Sequence, residues 1–101
     1  MITENQANWP SITTPRILKS TITNNSEYGI LGNFDYVNDS NIMSNVFGIN
    51  LNGTTYLPAT NNFWGHSTGP QHPTQNPSGQ GDSVSTFVNV DPWLTTPNTD
   101  A

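Results

Sequence analysis

Ile22-Thr23-Asn24-Asn25 is followed, at an offset of 20, by the similar segment Ile42-Met43-Ser44-Asn45. Two more segments place Asn three positions after an apolar residue. Ile2-Thr3-Glu4-Asn5 precedes the first segment by the same offset, and Ala59-Thr60-Asn61-Asn62 follows the second at the shorter offset of 17. A spacing this regular indicates an internal repeat, which constrains the fold more strongly than any single motif.

Two further correspondences share the spacing. Ile17 and Val37 are offset by 20, and Tyr28-Gly29-Ile30-Leu31 and Phe47-Gly48-Ile49-Asn50 by 19. A period near 20 is too short for helix-pair repeats of about 33 to 47 residues. The segments alternate apolar and polar residues and show no sustained helical periodicity, so they predict short strands separated by turns. The sequence therefore predicts an all-β fold in which successive turns of the chain stack about 4.8 Å apart.

Stacking gives the recurring residues a physical role. We predict one inward apolar column and one asparagine ladder at a turn. Asn tolerates left-handed backbone geometry, and its amide offers donors and an acceptor to the copies on either side. The predicted column contains Ile2, Ile22, Ile42 and Ala59, and the predicted ladder contains Asn5, Asn25, Asn45 and Asn62.

The downstream segment carries a resemblance to a known family. Its motifs, in order, are Asn61-Asn62-Phe63-Trp64-Gly65, Ser67-Thr68-Gly69-Pro70, His72-Pro73, Asn76-Pro77, Gly81-Asp82-Ser83-Val84 and Pro92-Trp93-Leu94. This run resembles the terminal segment of bacterial and archaeal right-handed parallel β-helix repeat proteins of the pectate-lyase-like superfamily. The upstream residues 2–58 match only generically, and His66 departs from the Asp or small residue expected at its position.

The resemblance implies a domain organisation. Residues 1–65 would form about three to four coils of a right-handed parallel β-helix, residues 66–94 a C-terminal loop-and-strand cap, and residues 95–101 a tail or linker start. A cap is physically required because the last coil exposes an unpaired strand edge, and terminal repeats need a distinct closing element. The expected cap residues are Trp64, Gly65, Pro70, His72, Asp82, Pro92, Trp93 and Leu94.

Charge and composition restrict the partners. The net charge is −5, with Arg16 and Lys19 as the two basic residues, so the clustered cations needed to bind nucleic acid are missing. No apolar run approaches the roughly 20 residues of a membrane span. The chain begins in mid-coil, which predicts that its N-terminal face receives the remaining coils or another copy. The absence of cysteine and the family resemblance favour an extracellular or cell-surface location in a bacterium or archaeon.

The sequence offers weak candidates for chemistry. Tyr28, Tyr36 and Tyr56 could stack on sugar rings of a polysaccharide. Asp82 and Asp91 with nearby carbonyls could hold a structural calcium ion, which takes six to eight oxygen ligands. His66 and His72 do not have a known metal-ligand spacing, so no metal site and no cofactor are predicted.

No catalytic residue is predicted. Superfamily lyases combine calcium, an acidic cluster and a base, but no carboxylates accompany Arg16 and Lys19 in the repeat register. We therefore predict a non-catalytic structural module, the C-terminal end of a β-helix from an exported or cell-surface protein. Two alternatives remain open. One is a fragment of a carbohydrate-active enzyme, a lyase or glycoside hydrolase with catalytic residues upstream, or of a polysaccharide-binding β-helix. The other is a self-stacking filament subunit.

Overall fold

The computed structural model describes residues 2–3 (backbone only), 16–32, 34–51 and 56–101. All helix and strand elements within these residues are β-strands, which confirms the all-β class. They are β1 (Ile2–Thr3), β2 (Arg16–Leu18), β3 (Thr21–Thr23), β4 (Tyr28–Leu31), β5 (Tyr36–Asn38), β6 (Asn41–Met43), β7 (Phe47–Asn50), β8 (Leu57–Pro58) and β9 (Val88–Asn89). None of the described residues belongs to a helix long and apolar enough to span a membrane.

The strands of the first seven elements pair in parallel with partners that lie three elements away along the chain. The sheet order is β1-β4-β7, with separate pairs β2-β5 and β3-β6, and β8 pairs with β9. The predicted correspondences are confirmed as strand register. Ile17 lies opposite Val37, Ile22 opposite Ile42, and Tyr28 opposite Phe47.

Two members of the predicted apolar column are wrong. Ile2 of β1 pairs with Ile30 of β4, not with Ile22. Ile42 is not followed by Ala59. Its neighbour Asn41 bridges to Phe63, and the Ile42 amide donates to the Phe63 carbonyl at 2.8 Å. The offset therefore lengthens at this step, from 20 to 22, and the alignment of Ala59 with Ile42 was coincidental.

The strands end at turns whose backbone conformation also recurs. Lys19 and Asp39 have φ of 49° and 55°, and Asn24 and Ser44 have φ of 61° and 60°. Both pairs therefore share a left-handed conformation at the same offset as the strands that precede them. Asn61 continues the first series with φ of 58°. This conformation costs a residue with a Cβ roughly 1–2 kcal/mol, so its adoption by Lys19 and Ser44 indicates that strand pairing on either side imposes the turn.

Alternation of inward and outward side chains builds a single core. The three-residue strands β2, β3 and β5 bury their central residue and leave its two neighbours more exposed. The core residues from the paired strands are Ile17, Ile22, Ile30, Val37, Ile42 and Ile49, and those from the C-terminal part are Leu57, Ala59, Trp64, Val84, Val88 and Val90. The C-terminal segment thus contributes to the same core as the paired strands.

Candidate functional site: the C-terminal edge and its cap

A row of three polar side chains runs through one set of turns, which we call the turn row: Asn25, Asn45 and Asp82. The Asn25 side-chain amide donates to Asn45 Oδ1 at 2.8 Å, and the Asn25 backbone N–H donates to the same oxygen at 3.1 Å. Asn45 Nδ2 donates to Asp82 Oδ2 at 2.8 Å and to the Ile22 carbonyl at 3.1 Å. The side chain of Asn45 is therefore hydrogen-bonded both to the preceding turn, at Asn25 and Ile22, and to the following one, at Asp82.

Asp82 is the buried acid of this row. It accepts from the backbone N–H and the side chain of Asn45, and from the backbone of Ser44. Burial raises the pKa of the Asp82 carboxyl, and the hydrogen bonds from Asn45 and Ser44 lower it part of the way back. All of these donors are N–H groups, which are the partners a carboxylate needs when no cation lies beside it.

Two glycines let the turn row close tightly. A Cβ on Gly29 would lie 3.0 Å from the Asn45 amide nitrogen, and one on Gly48 would lie 2.9 Å from the Asp82 Cβ. The two glycines occupy equivalent positions in the paired strands β4 and β7. Glycine at these positions leaves room for the side chains of the next turn.

The assignment of Asn62 to the asparagine ladder is wrong, because Asn62 lies in a different row. It joins Ser20 and Ser40, which we call the serine row. Ser40 Oγ accepts from the Ser20 backbone N–H at 3.2 Å, and Asn62 Oδ1 accepts from the Ser40 backbone N–H at 2.9 Å. Asn62 Nδ2 also donates to the Val37 carbonyl at 2.8 Å. Asn5 lies outside the described residues.

The loop of the predicted cap, residues 66–82, is held together by Asn76. Its side chain donates to the carbonyls of Thr68 and Pro70, and its carbonyl accepts from the backbone of His72 and Gly79. A Cβ on Gly79 would collide with the Pro70 carbonyl, so the two ends of this loop lie in direct backbone contact. The chain then returns beside β7, where Val84 bridges to Ile49 in parallel, and the adjacent Ser83 bridges to Gln71.

His72 is fully buried, and its hydrogen bonds assign its tautomer. Nδ1 accepts from the backbone N–H groups of Thr74 at 3.0 Å and Gln75 at 2.8 Å, so it carries the lone pair. Nε2 faces the carbonyls of Thr86 at 3.1 Å and Val88 at 2.9 Å, so it carries the proton. The imidazole links the turn of the cap to the backbone around β9 and has no ring nitrogen left for a metal ion.

The carbonyls that His72 reaches belong to the outer edge of β9. The inner edge pairs with β8, because Leu57 N–H donates to the Phe87 carbonyl and Ala59 N–H donates to the Asn89 carbonyl, both at 2.8 Å. Successive carbonyls along a strand point to opposite sides, so those of Thr86 and Val88 face away from β8. Gln75 Oε1 accepts from the next outer amide, that of Val90, at 3.1 Å. Side chains of the cap thus occupy edge positions that another strand would otherwise use.

The aromatic residues of the predicted cap have different surroundings. Trp64 is completely buried, and its Nε1–H is a buried side-chain polar group without a partner among the described residues. Trp93 is half-buried and packs against the core and against Gly69, where a Cβ would lie 2.5 Å from the indole ring. Trp93 therefore covers a flank of the core rather than being enclosed by it.

The remaining predicted cap residues contribute backbone contacts. Gly65 has φ of 94°, a left-handed conformation that favours glycine. The Pro92 carbonyl accepts from Asn61 N–H at 2.7 Å, and Leu94 N–H donates to the Asn62 carbonyl at 2.9 Å, so the final segment docks beside Phe63. Pro70 is buried within the loop of the predicted cap.

The C-terminal residues 95–101 are attached through Asn98. The backbone carbonyl of Asn98 accepts from Asn41 Nδ2 at 2.9 Å, and the backbone N–H of Asn98 donates to Asn41 Oδ1 at 2.8 Å. The Asn98 side chain donates through Nδ2 to the Asp39 carbonyl at 2.8 Å. The sequence predicts a tail or linker start for this segment. Its central residue instead ties it to β6 and the turn before it.

The three predicted sugar-stacking tyrosines each contact a different partner. Tyr28 packs edge-to-face on Phe47 with ring centroids 6.1 Å apart, and Tyr56 packs on Phe87 at 5.3 Å. The Arg16 guanidinium lies 5.8 Å above the ring of Tyr36. Only Tyr56 is mostly exposed. No interaction among the described residues joins the three rings in one surface.

Acids and histidines of the described residues form no cluster of three or more that could hold a metal ion. Asp82 accepts from N–H groups of Asn45 and Ser44, whereas Asp91 is exposed, and His66 bonds Thr68 through Nδ1 at 2.9 Å. A structural calcium ion at Asp82 and Asp91 stays a prediction. Ser40 follows Ser20 at the repeat offset of 20, a sequence signal that the predicted ladder did not include, whereas no sequence signal points to the role of Gln75.

Comparisons with protein-family models, with curated proteins and with solved structures find no match to this chain.

Proposed function

We propose that this chain is a non-catalytic structural module, the C-terminal part of a right-handed parallel β-helix whose last segment closes the strand edge. Three features support the β-helix. Strands three elements apart pair in parallel, the β2–β5, β3–β6 and β4–β7 pairs are offset by 19 or 20 residues while β1 and β4 are offset by 28, and left-handed turn residues recur at an offset of 20. A chain that returns beside itself after about 20 residues can stack further turns in the same way.

The single observation that carries the capping role is His72. An open strand edge is a template for pairing with another chain, and natural proteins block it with covering segments or unsuitable side chains. His72 Nε2 donates to the outer carbonyls of Thr86 and Val88, and Gln75 accepts from the outer amide of Val90. These bonds satisfy the edge within the chain, so an incoming strand would have to displace them.

The opposite side of the sheets receives the partner in this proposal. Within the described residues β2 and β3 each pair on one side only, with β5 and β6. We propose that the remaining coils of a longer protein, or another copy, lie beyond them. An extracellular or cell-surface location belongs to the same proposal and is supported by the polar, cysteine-free composition.

Two substitutions of His72 separate edge closure from loop stability. His72→Asn retains an acceptor near the amides of Thr74 and Gln75 but does not reach the outer carbonyls of β9. His72→Gln retains a donor toward those carbonyls but loses the acceptor. Each leaves buried backbone groups without a partner, so each should lower the free energy of unfolding by about 2–4 kcal/mol.

Association distinguishes the two variants. We expect His72→Asn to form larger assemblies than the wild type at equal concentration, measured by size-exclusion chromatography with light scattering, and His72→Gln to keep the wild-type mass. His66→Asn is the matched control, because His66 lies in the same loop and its ring nitrogen bonds Thr68 rather than the edge of β9. Equal masses for His72→Asn, His66→Asn and the wild type, with His72→Asn destabilised, would remove the support for an edge-closing role.

A further inference from the structure

We propose that the C-terminal end carries a binding pocket for a neutral pyranose sugar. The pocket has a volume of about 310 Å³ and is lined by Gln75, Asn89, Asp91 and Trp93. That volume lies at the lower end of the roughly 300–1,000 Å³ typical of small-molecule sites, which suits one or two sugar rings. None of these residues is among the tyrosines predicted to bind sugars.

The backbone holds the polar lining in place. Asn89 and Asp91 are exposed and alternate with the buried Val88 and Val90, so they lie on the outward face of one extended segment. Gln75 reaches this segment from the cap and is fixed by the bond from Val90 N–H to its Oε1. The lining therefore comes from two parts of the chain that a hydrogen bond joins.

The hydrogen-bonding capacity of the lining is mixed. The oxygen of Gln75 is occupied by Val90, which leaves its NH₂ group as a donor. The side chains of Asn89 and Asp91 make no hydrogen bond within the described residues, and they offer an amide and a carboxylate. A sugar hydroxyl both donates and accepts, so a set of donors and acceptors around one pocket matches it.

Trp93 supplies the apolar surface that a sugar needs. Its indole packs against the backbone of Gly69, so the ring is held against the cap and also lines the pocket. The C–H groups of a pyranose stack on an aromatic face while its hydroxyls point to the rim. Gly69 has φ of 83°, and a side chain there would collide with the ring, so the indole position depends on this glycine.

Charge selects the sugar class. The pocket contains one carboxylate and no basic residue, in a protein of net charge −5, so an acidic sugar would be repelled. An alkylammonium ion would suit Asp91 and Trp93, but it has only donors and would oppose the NH₂ group of Gln75. A neutral pyranose fits all four side chains.

The test is a titration followed by two-dimensional ¹H–¹⁵N NMR, with five probes: the methyl glycosides of glucose, mannose and galactose, galacturonate and butylammonium. We expect at least one neutral glycoside to shift the Trp93 indole signal, with a Kd on the order of 1 mM. Galacturonate should bind at least fivefold more weakly. Asn89→Ala and Asp91→Ala, both at exposed positions, should each weaken binding at least fivefold. Trp93→Phe, followed through the side-chain NH₂ signals of Gln75 and Asn89 in the same spectra, should weaken it about threefold.

Asp35→Ala is the matched control for Asp91→Ala, because Asp35 is also exposed and lies outside the pocket. It should leave the Kd unchanged. The proposal is overturned if no neutral glycoside shifts Trp93 at 50-fold the expected Kd, or if butylammonium alone binds. It is also overturned if Tyr56→Ala abolishes binding while Asn89→Ala does not.

Discussion

Asn45→Asp is the sharpest test of the turn row. Asn45 Nδ2 lies 2.8 Å from Asp82 Oδ2, and Asn45 Oδ1 accepts from the side chain and backbone of Asn25. The substitution changes little in shape and keeps the acceptor for Asn25. It replaces the donor facing Asp82 with a second oxygen, so two carboxylates would meet in a buried contact.

The expected cost follows from two independent estimates. Two unit charges about 4 Å apart repel by about 4 kcal/mol at an effective dielectric constant near 20. Placing one proton on the pair instead costs about 1.4 kcal/mol for each pH unit above an ordinary aspartate pKa near 4, which is again about 4 kcal/mol at pH 7. The Ile22 carbonyl also loses its bond from Asn45, which costs about 1 kcal/mol more. We expect a total loss of about 4–5 kcal/mol at pH 7.

The assay is urea unfolding followed by far-UV circular dichroism between pH 4 and pH 8. Near pH 4 a proton is available at almost no cost and can bridge the two carboxyl groups, so the loss should shrink to about 1–2 kcal/mol. Asn61→Asp is the matched control, since Asn61 is exposed and the substitution adds the same charge at another turn. Its stability should stay within about 0.5 kcal/mol of the wild type.

The exchanged variant, Asn45→Asp with Asp82→Asn, completes the test. An amide at position 82 can donate to the carboxylate at position 45, so the loss at pH 7 should fall to about 1–2 kcal/mol. The reasoning is refuted if Asn45→Asp alone costs less than about 1 kcal/mol at pH 7, or if its cost is the same at pH 4. It is equally refuted if the exchanged variant is as unstable as the single one.

Three other substitutions test neighbouring features. Asp82→Asn should flatten the pH dependence of unfolding. Burial raises the pKa of the Asp82 carboxyl, so the stability that Asp82 contributes is complete below about pH 4 and is lost as pH rises through the raised pKa. Urea titrations at several pH values would show this change. Asn98→Ala should lower the free energy of unfolding by about 1 kcal/mol, because the Asp39 carbonyl loses its bond from Asn98 Nδ2 and the Asp100 N–H loses its acceptor. Limited proteolysis should then cut residues 95–101 sooner, and an unchanged cleavage rate would contradict this. Gly79→Ala should cost more than about 3 kcal/mol in thermal unfolding, because its Cβ collides with the Pro70 carbonyl, and a variant of normal stability would show that the loop can separate there.

Strand class and register were accessible from the sequence because β-branched and aromatic residues recur there at a nearly constant spacing. Ile17, Ile22 and Tyr28 were matched correctly to Val37, Ile42 and Phe47, since nothing is inserted between these strands. The prediction failed at the next step, where the offset lengthens and Asn41 meets Phe63. An Asn at a turn gives the same sequence pattern in the turn row and in the serine row. The pattern therefore placed Asn62 in the turn row, although it belongs to the serine row.

The candidate site was less accessible, because its residues act through backbone groups that a sequence does not display. His72 was assigned to a cap by resemblance, but its bonds to the carbonyls of Thr86 and Val88 depend on where the chain returns after residue 85. Gln75 accepts a hydrogen bond at the same edge, from Val90 N–H, and belongs to no motif in the sequence. A side chain that satisfies backbone polar groups can be Asn, Gln, His or Ser, so its identity says little about its position.

The direction of hydrogen bonding explains why an acid ends the turn row. Asn25 donates to Asn45, and Asn45 donates to Asp82, so the donors all point toward the cap. Asp82, the last member, accepts hydrogen bonds from Asn45 and Ser44 and has no following member to which it could donate. An Asn there would bring an NH₂ group that needs another buried acceptor, whereas a carboxylate has only acceptors. The serine row ends differently, because Asn62 turns its NH₂ back to the Val37 carbonyl within the sheet. A polar row can therefore end in two ways. The turn row ends with Asp82, a residue that only accepts, and the serine row ends with Asn62, whose NH₂ group donates to the preceding turn.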